Sequence, residues 1–199
     1  MKTNSLKLVV AGAAILAMTR IAEAHPGHAG HGGLNAGFAH PFSGIDHILA
    51  MIAVGLLAAQ RGGRAVWMLP LTFIALMCAG GLLNLGGVPV PWVEQGIMAS
   101  VLVLGLLIAS AAKMPIAMPL SLVGLFAICH GYAHVAEMRA GFSPIGYASG
   151  FIAATAVLHA MGIGLGLSAR KFASIQFVRL AGAAIAACGL LLALGLIAA

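Results

Sequence analysis

His40-Pro41-Phe42-Ser43-Gly44-Ile45-Asp46-His47-Ile48-Leu49-Ala50-Met51 places two histidines and a carboxylate at the opening of an apolar segment that continues to Gln60. Ionisable groups are costly inside a membrane span, so they face a bundle interior or a cavity and mark a functional path. A second cluster, His130-Gly131-Tyr132-Ala133-His134-Val135-Ala136-Glu137, closes a later apolar segment. The rest of the chain supplies the hydrophobic frame. It is 62% hydrophobic and 7% charged, with 4 acidic residues in 199, against about 25% charged residues in a soluble domain. Several apolar stretches of about 20 residues specify an all-α, polytopic membrane protein.

The sequence pI of about 9.8 does not point to nucleic acid. The basic residues stand singly or in pairs between apolar runs, as loop charges of a membrane protein do. Cys78, Cys129 and Cys188 lie within apolar runs and no CxxC is present, so neither a disulfide framework nor a thiolate zinc site is indicated.

Residues 1–24 fit a signal peptide. Lys2 and Lys7 form the basic region, Leu8 to Met18 the short apolar run, and Ala22-Glu23-Ala24 the small-x-small cleavage pattern. An uncleaved first helix is the alternative. Cleavage after Ala24 removes Lys2, Lys7, Arg20 and Glu23, lowering the net charge from +6 to about +4. Residues 25–37 then form an external segment whose His25, His28 and His31 sit in Gly-rich sequence suited to metal capture.

Residues 38–199 divide into six expected spans: 38–60, 65–86, 92–112, 115–137, 144–168 and 175–198. Each is long enough for a hydrocarbon core of about 30 Å. With an external N-terminus, the inner loops hold Arg61, Arg64, Lys113, Arg170, Lys171 and Arg179, and the outer loops only Arg139. That asymmetry is the positive-inside pattern and places both mature termini in the periplasm. The turn Val88-Pro89-Val90-Pro91-Trp92 is expected on the outer side, with Trp92 as an interfacial anchor. Most glycines in the spans serve close helix packing. Gly44 and Gly131, each near a histidine, are candidates to leave room for an ion or a water.

On a continuous first span, His40, Gly44, His47 and Met51 share one stripe, with His47 about 10 Å below His40. The fourth span runs outward, and His130, His134 and Glu137 at i, i+4 and i+7 share another. Both stripes therefore reach the same depth from the same face. Imidazole nitrogen with carboxylate oxygen suits Ni, Co, Zn, Cu or Fe better than Mg or Ca. Asp46 and Glu137 either ligate or orient a histidine through its second ring nitrogen. The plainer alternative is that these groups pair with one another and hold helices together.

His159 is expected in the inner half of the fifth span, as a relay for the ion or a proton, or as a helix-packing hydrogen bond. Glu94 fits a funnel charge or an interfacial residue. Asn84 and Gln95 fit packing contacts. Met51, Met77, Met98, Cys78 and Cys129 fit core positions, with Cys129 notable for adjoining His130.

The motif from His40 to Met51, followed by Val54-Gly55, and His130-Gly131-Tyr132-Ala133-His134 with Glu137 resemble the signatures of the HupE/UreJ family. The resemblance spans essentially the whole mature chain. It departs at Val135-Ala136, where a glycine is often found. It implies a secondary permease for nickel or cobalt, tied to hydrogenase, urease or cobalamin metabolism. It implies that His40, Asp46, His47, His130, His134 and Glu137 handle the metal.

The expectation is a six-span inner-membrane permease moving Ni2+ or Co2+ inward, with Zn2+ as another bound ion. It is not an enzyme, has no prosthetic group, and has the lipid bilayer and the ion as partners. Whether it forms a homo-oligomer is open. No G-x-x-x-x-G-K-[ST] motif is present for ATP hydrolysis. The rival is a membrane-embedded Zn-dependent hydrolase using the same cluster; no HExxH is present. N-terminal sequencing of the membrane-extracted protein is expected to read His25-Pro26-Gly27; a start at Met1 would show that the leader is retained.

Overall fold

The computed structural model describes residues 29–172 and 174–198, with backbone alone at 29–32 and 172. The expected signal peptide, His25, His28 and the His31 side chain lie outside the described residues. The chain runs α1 (Ala29–Ala39), a 3-10 turn (His40–Phe42), α2 (Ile45–Arg61), α3 (Ala65–Leu85), α4 (Val93–Ser110), α5 (Ala117–Ala136), α6 (Pro144–Phe172) and α7 (Ile175–Ala193). No strand occurs among the described residues. Helices α3 to α7 are each long and apolar enough to cross a membrane, close to the expected bounds. This is a multi-pass, all-helical membrane protein.

The first expected span differs. Residues 38–60 do not form one helix: the segment ending at Phe42 and the helix beginning at Ile45 meet at 80°. The local chemistry explains the break. Gly44 is extended (φ −110°, ψ 130°). The Ser43 hydroxyl donates to the His40 carbonyl at 2.6 Å, a side-chain bond that competes with helix continuation. Asp46 Oδ1 then accepts the His47 backbone N–H at 2.7 Å, satisfying an orphan donor in the first turn of α2. At 1.5 Å per residue, α2 alone covers only about 26 Å, short of a core of about 30 Å. The α1 segment and the turn complete the segment.

Pairing is tightest between α4 and α7, α3 and α5, α2 and α6, and α1 and α6. Small residues bring these backbones together, as expected where lipid removes most of the hydrophobic drive between helices. A Cβ on Gly131 of α5 would overlap the Met77 carbonyl of α3. Gly131 therefore seats one helix on another and does not leave room for an ion. At Gly44 the space is taken by the Asp46 carboxylate, 2.5 Å from where a Cβ would stand. Helix α5 continues unbroken through Val135 and Ala136.

The inner-loop basic residues gather at one end of the bundle, opposite the histidine clusters. Arg61 donates to the carbonyls of Ala112 (3.0 Å) and Met114. Arg170 reaches Ala59 at 2.7 Å, and Arg179 reaches Ala109 at 2.8 Å. These guanidinium groups satisfy carbonyls at and just beyond the ends of α2 and α4, where the helix dipole is negative. Trp92, at the histidine end, is 75% exposed, as an interfacial residue would be.

Gly131→Ala is expected to destabilise the fold by about 1–3 kcal/mol through overpacking against α3. Gly164→Ala, where a Cβ meets nothing within 4 Å, should be neutral. Thermal unfolding in detergent checks both, and equal melting temperatures would contradict the packing assignment.

Candidate metal centre

The bend at Ser43–Gly44 turns His40 back over the start of α2. Its ring lies 5.8 Å from His47 and 4.9 Å from His134, centroid to centroid. His40 therefore reaches the cluster by a break in the helix and not by sharing a helical stripe with His47. His47 and His134 are 4.8 Å apart. One ligand atom from each of His40, His47 and His134 lies within 4.8 Å of the other two, close enough for one ion to bind all three. His47 and His134 are buried and His40 half-buried.

Hydrogen bonding assigns the free nitrogens. Asp46 Oδ1 sits 2.7 Å from His47 Nδ1. A carboxylate accepts, so Nδ1 carries the proton and Nε2 keeps its lone pair. Nε2 has no hydrogen-bond partner among the described residues. This is the carboxylate–histidine arrangement that orients a metal ligand. Asp46 thus supports His47, one of the two roles expected for it. Glu137, just past the end of α5, lies 3.2 Å from His40 Nε2 and is half exposed at the mouth. Desolvation pushes its carboxyl pKa up.

His130 lies one turn deeper on α5, its ring 5.0 Å from His47. It adjoins the triad without completing it. Its Nε2 is 3.1 Å from Ser100 Oγ, and that hydroxyl donates to the Ile97 carbonyl at 2.6 Å. The single hydroxyl proton being used, Ser100 accepts from His130, which leaves Nδ1 as an unpartnered acceptor. Both ring nitrogens of His134 are also without hydrogen-bond partners among the described residues. Leaving buried polar groups unpaired costs about 1–3 kcal/mol each. Pairing between helices accounts for His40 with Glu137 but not for His134. The C-terminal turn of α5, with its partial negative charge, further favours a cation here.

His159 was expected to make a helix-packing hydrogen bond if it did not relay an ion. It is 2% exposed, and neither ring nitrogen has a hydrogen-bond partner among the described residues. Cys129 packs with Ile97, Ala133 and Val93. Glu94 and Gln95 are exposed, and Met51 is core.

Three residues escape a reading of the sequence. Ser100 orients His130; a lone hydroxyl between Ile97 and Leu104 was the available signal. Phe151 stacks on His134 at 4.9 Å and 17°, and Tyr147 lies 6.0 Å from His40. Nothing in an apolar run distinguishes aromatics that wall a site from those that fill a core.

Asp46→Ala is expected to weaken Co2+ binding ten- to a hundredfold, because His47 loses its orienting partner. It should also lower stability by about 0.5–2 kcal/mol through loss of the helix-start bond. Calorimetric titration and thermal unfolding separate the two effects; unchanged affinity would contradict the orienting role.

The model of the family described as HupE / UreJ protein matches residues 13–192. Protein HupE of Rhizobium leguminosarum bv. viciae is 44% identical over 182 residues, covering 92% of this chain and 95% of the relative. No solved structure matches. With the match running through both histidine clusters and nearly the whole length, the chain belongs to the HupE/UreJ family.

Proposed function

We propose that this protein is a secondary permease for a divalent transition metal, Ni2+ or Co2+, taken from the periplasm to the cytoplasm of a bacterium. The observation that carries this reading is the convergence of His40, His47 and His134 within 4.8 Å beneath the Glu137 carboxylate. Imidazole ligands in this number suit borderline divalent ions. With Asp46 and Glu137 nearby, the ion's charge is partly compensated in a low dielectric. His130 and His159 extend the path away from the mouth.

The bent first segment counts as one of six spans in this reading. The arginine end faces the cytoplasm by the positive-inside rule, and both mature termini lie in the periplasm. There His25, His28 and His31 concentrate the ion ahead of His40. Entry needs no ATP: a divalent cation gains about 4.6 kcal/mol per 100 mV of membrane potential. No catalytic step is assigned to the cluster. The released ion feeds the maturation of nickel or cobalt enzymes.

Uptake of radioactive Ni2+ and Co2+ into proteoliposomes tests the reading. Saturable uptake is expected, reduced at least tenfold in His47→Ala and His134→Ala proteins. Folded wild-type protein that admits neither ion would overturn it, and a zinc ion retained through chelation would favour the hydrolase instead.

A further inference from the structure

The arginine end of the bundle carries charge of one sign. Arg61, Arg64, Lys113, Arg170, Lys171 and Arg179 stand there, and of the described acidic residues, Asp46, Glu94 and Glu137, none does. The salt bridges among the described residues lie at the histidine end. Between the arginine-end termini of α2, α4 and α7 lies a cavity of about 490 Å3, within the range of about 300–1,000 Å3 usual for ligand sites. Its lining has two halves. Leu57 of α2, Leu107 of α4 and Ile175 of α7 give an apolar wall, and Gln60, Arg61 and Lys113 give a polar one. Arg61 is held in place by the Ala112 and Met114 carbonyls. Those bonds use two of its five N–H groups, so three remain to donate. Gln60 is tied to the Ile108 carbonyl at 2.9 Å. Lys113, on the connection after α4, is exposed. Trp67, in the first turn of α3 at the same end, is 54% exposed, as an aromatic at the membrane–water boundary is.

We propose that this cavity binds one anionic phospholipid, its phosphate against Arg61 and Lys113 and its apolar part along Leu57, Leu107 and Ile175. Charge decides the class of ligand. Two cations with no carboxylate beside them repel a divalent metal ion, so the cavity is not a further stop for the cargo. A guanidinium held by two carbonyls presents its remaining donors to phosphate oxygens at little cost in ordering. Basic pockets between membrane helices suit anionic headgroups in this way. The apolar wall decides between a lipid and a free anion, because inorganic phosphate would leave Leu57, Leu107 and Ile175 uncovered. Helices α2 and α7 pair more tightly with α6 and α4 than with each other. A lipid at their common end therefore adds a bridge that the helices themselves lack. The inference is independent of the permease reading.

The test uses the full chain in neutral detergent, with phosphatidylglycerol as the probe. Phosphatidylcholine of the same acyl chains and inorganic phosphate are run beside it. Lipid retention by native mass spectrometry and the melting temperature are measured on the same preparations. Wild type is expected to retain one phosphatidylglycerol and to melt higher with it, with no such gain from phosphatidylcholine or phosphate. Lys113→Gln is expected to weaken this binding about fivefold, the worth of one basic group beside an anionic surface, and Arg61→Gln at least as much. Arg64→Gln removes an exposed cation of the same end that lines no part of the cavity, and should bind the lipid as wild type does. If Arg61→Gln does not keep the wild-type melting temperature without lipid, Lys113→Gln decides alone. Equal losses in Lys113→Gln and Arg64→Gln overturn the site in favour of diffuse surface charge. Equal retention of phosphatidylcholine, or the same gain from inorganic phosphate, overturns the anionic lipid as its occupant.

Discussion

Everything at the histidine end depends on satisfying a broken backbone at the mouth of the bundle. Non-helical backbone at membrane depth is tolerated only where it is buried in protein or lines a cavity. Here the break is Ser43–Gly44, and the repairs are local. Ser43 donates to the His40 carbonyl, and Asp46 accepts from the first turn of α2. A Cβ at Gly44 would push the Asp46 carboxylate out of this position. The same carboxylate oxygen holds His47 Nδ1. One aspartate thus starts a helix and aims a ligand, and the 80° bend it helps to create carries His40 into reach of His134.

The second ingredient is close backbone approach. Lipid is as apolar as the side chains of α3 or α6, so burial alone does little to hold the helices together. Contact between backbones does more. Gly131 seats α5 on the Met77 carbonyl of α3, and Gly55 and Gly162 do the same for α2 and α6. These contacts set the rotation of each helix and so decide which side chains face inward. His130 and His134 point into the bundle because Gly131, between them in sequence, is pressed against α3. Charge then divides the molecule. Arginines cap carbonyls at one end, while Asp46 and Glu137 sit with the histidines at the other.

The arrangement suits the transit site proposed above. Each supported histidine has one nitrogen held by an oxygen partner, as His47 by Asp46 and His130 by Ser100, and the other left free. The candidate ligands come from three separate pieces of chain, the turn after α1, α2 and α5. Small movements between those pieces change the ligand spacing, which is what binding followed by release asks of a site.

Composition, the lengths of the apolar runs and the spacing of basic residues were enough to specify a helical membrane protein, and the bounds of α3 to α7 followed to within a few residues. So did the meeting of His47 with His134 and His130, because helix rise and the alternation of spans set their depth. The bend did not follow. Residues 48–59 are an uninterrupted apolar run, and the polar residues ahead of it read equally well as the first turns of the same helix; the competition of Ser43, Gly44 and Asp46 for the same backbone groups ends one helix and begins another. Ser100, Tyr147 and Phe151 were equally illegible, since their places beside the histidines depend on the rotation of helices about their axes. That rotation is decided by contacts between residues far apart in the chain, such as Gly131 with Met77, and no local pattern encodes it.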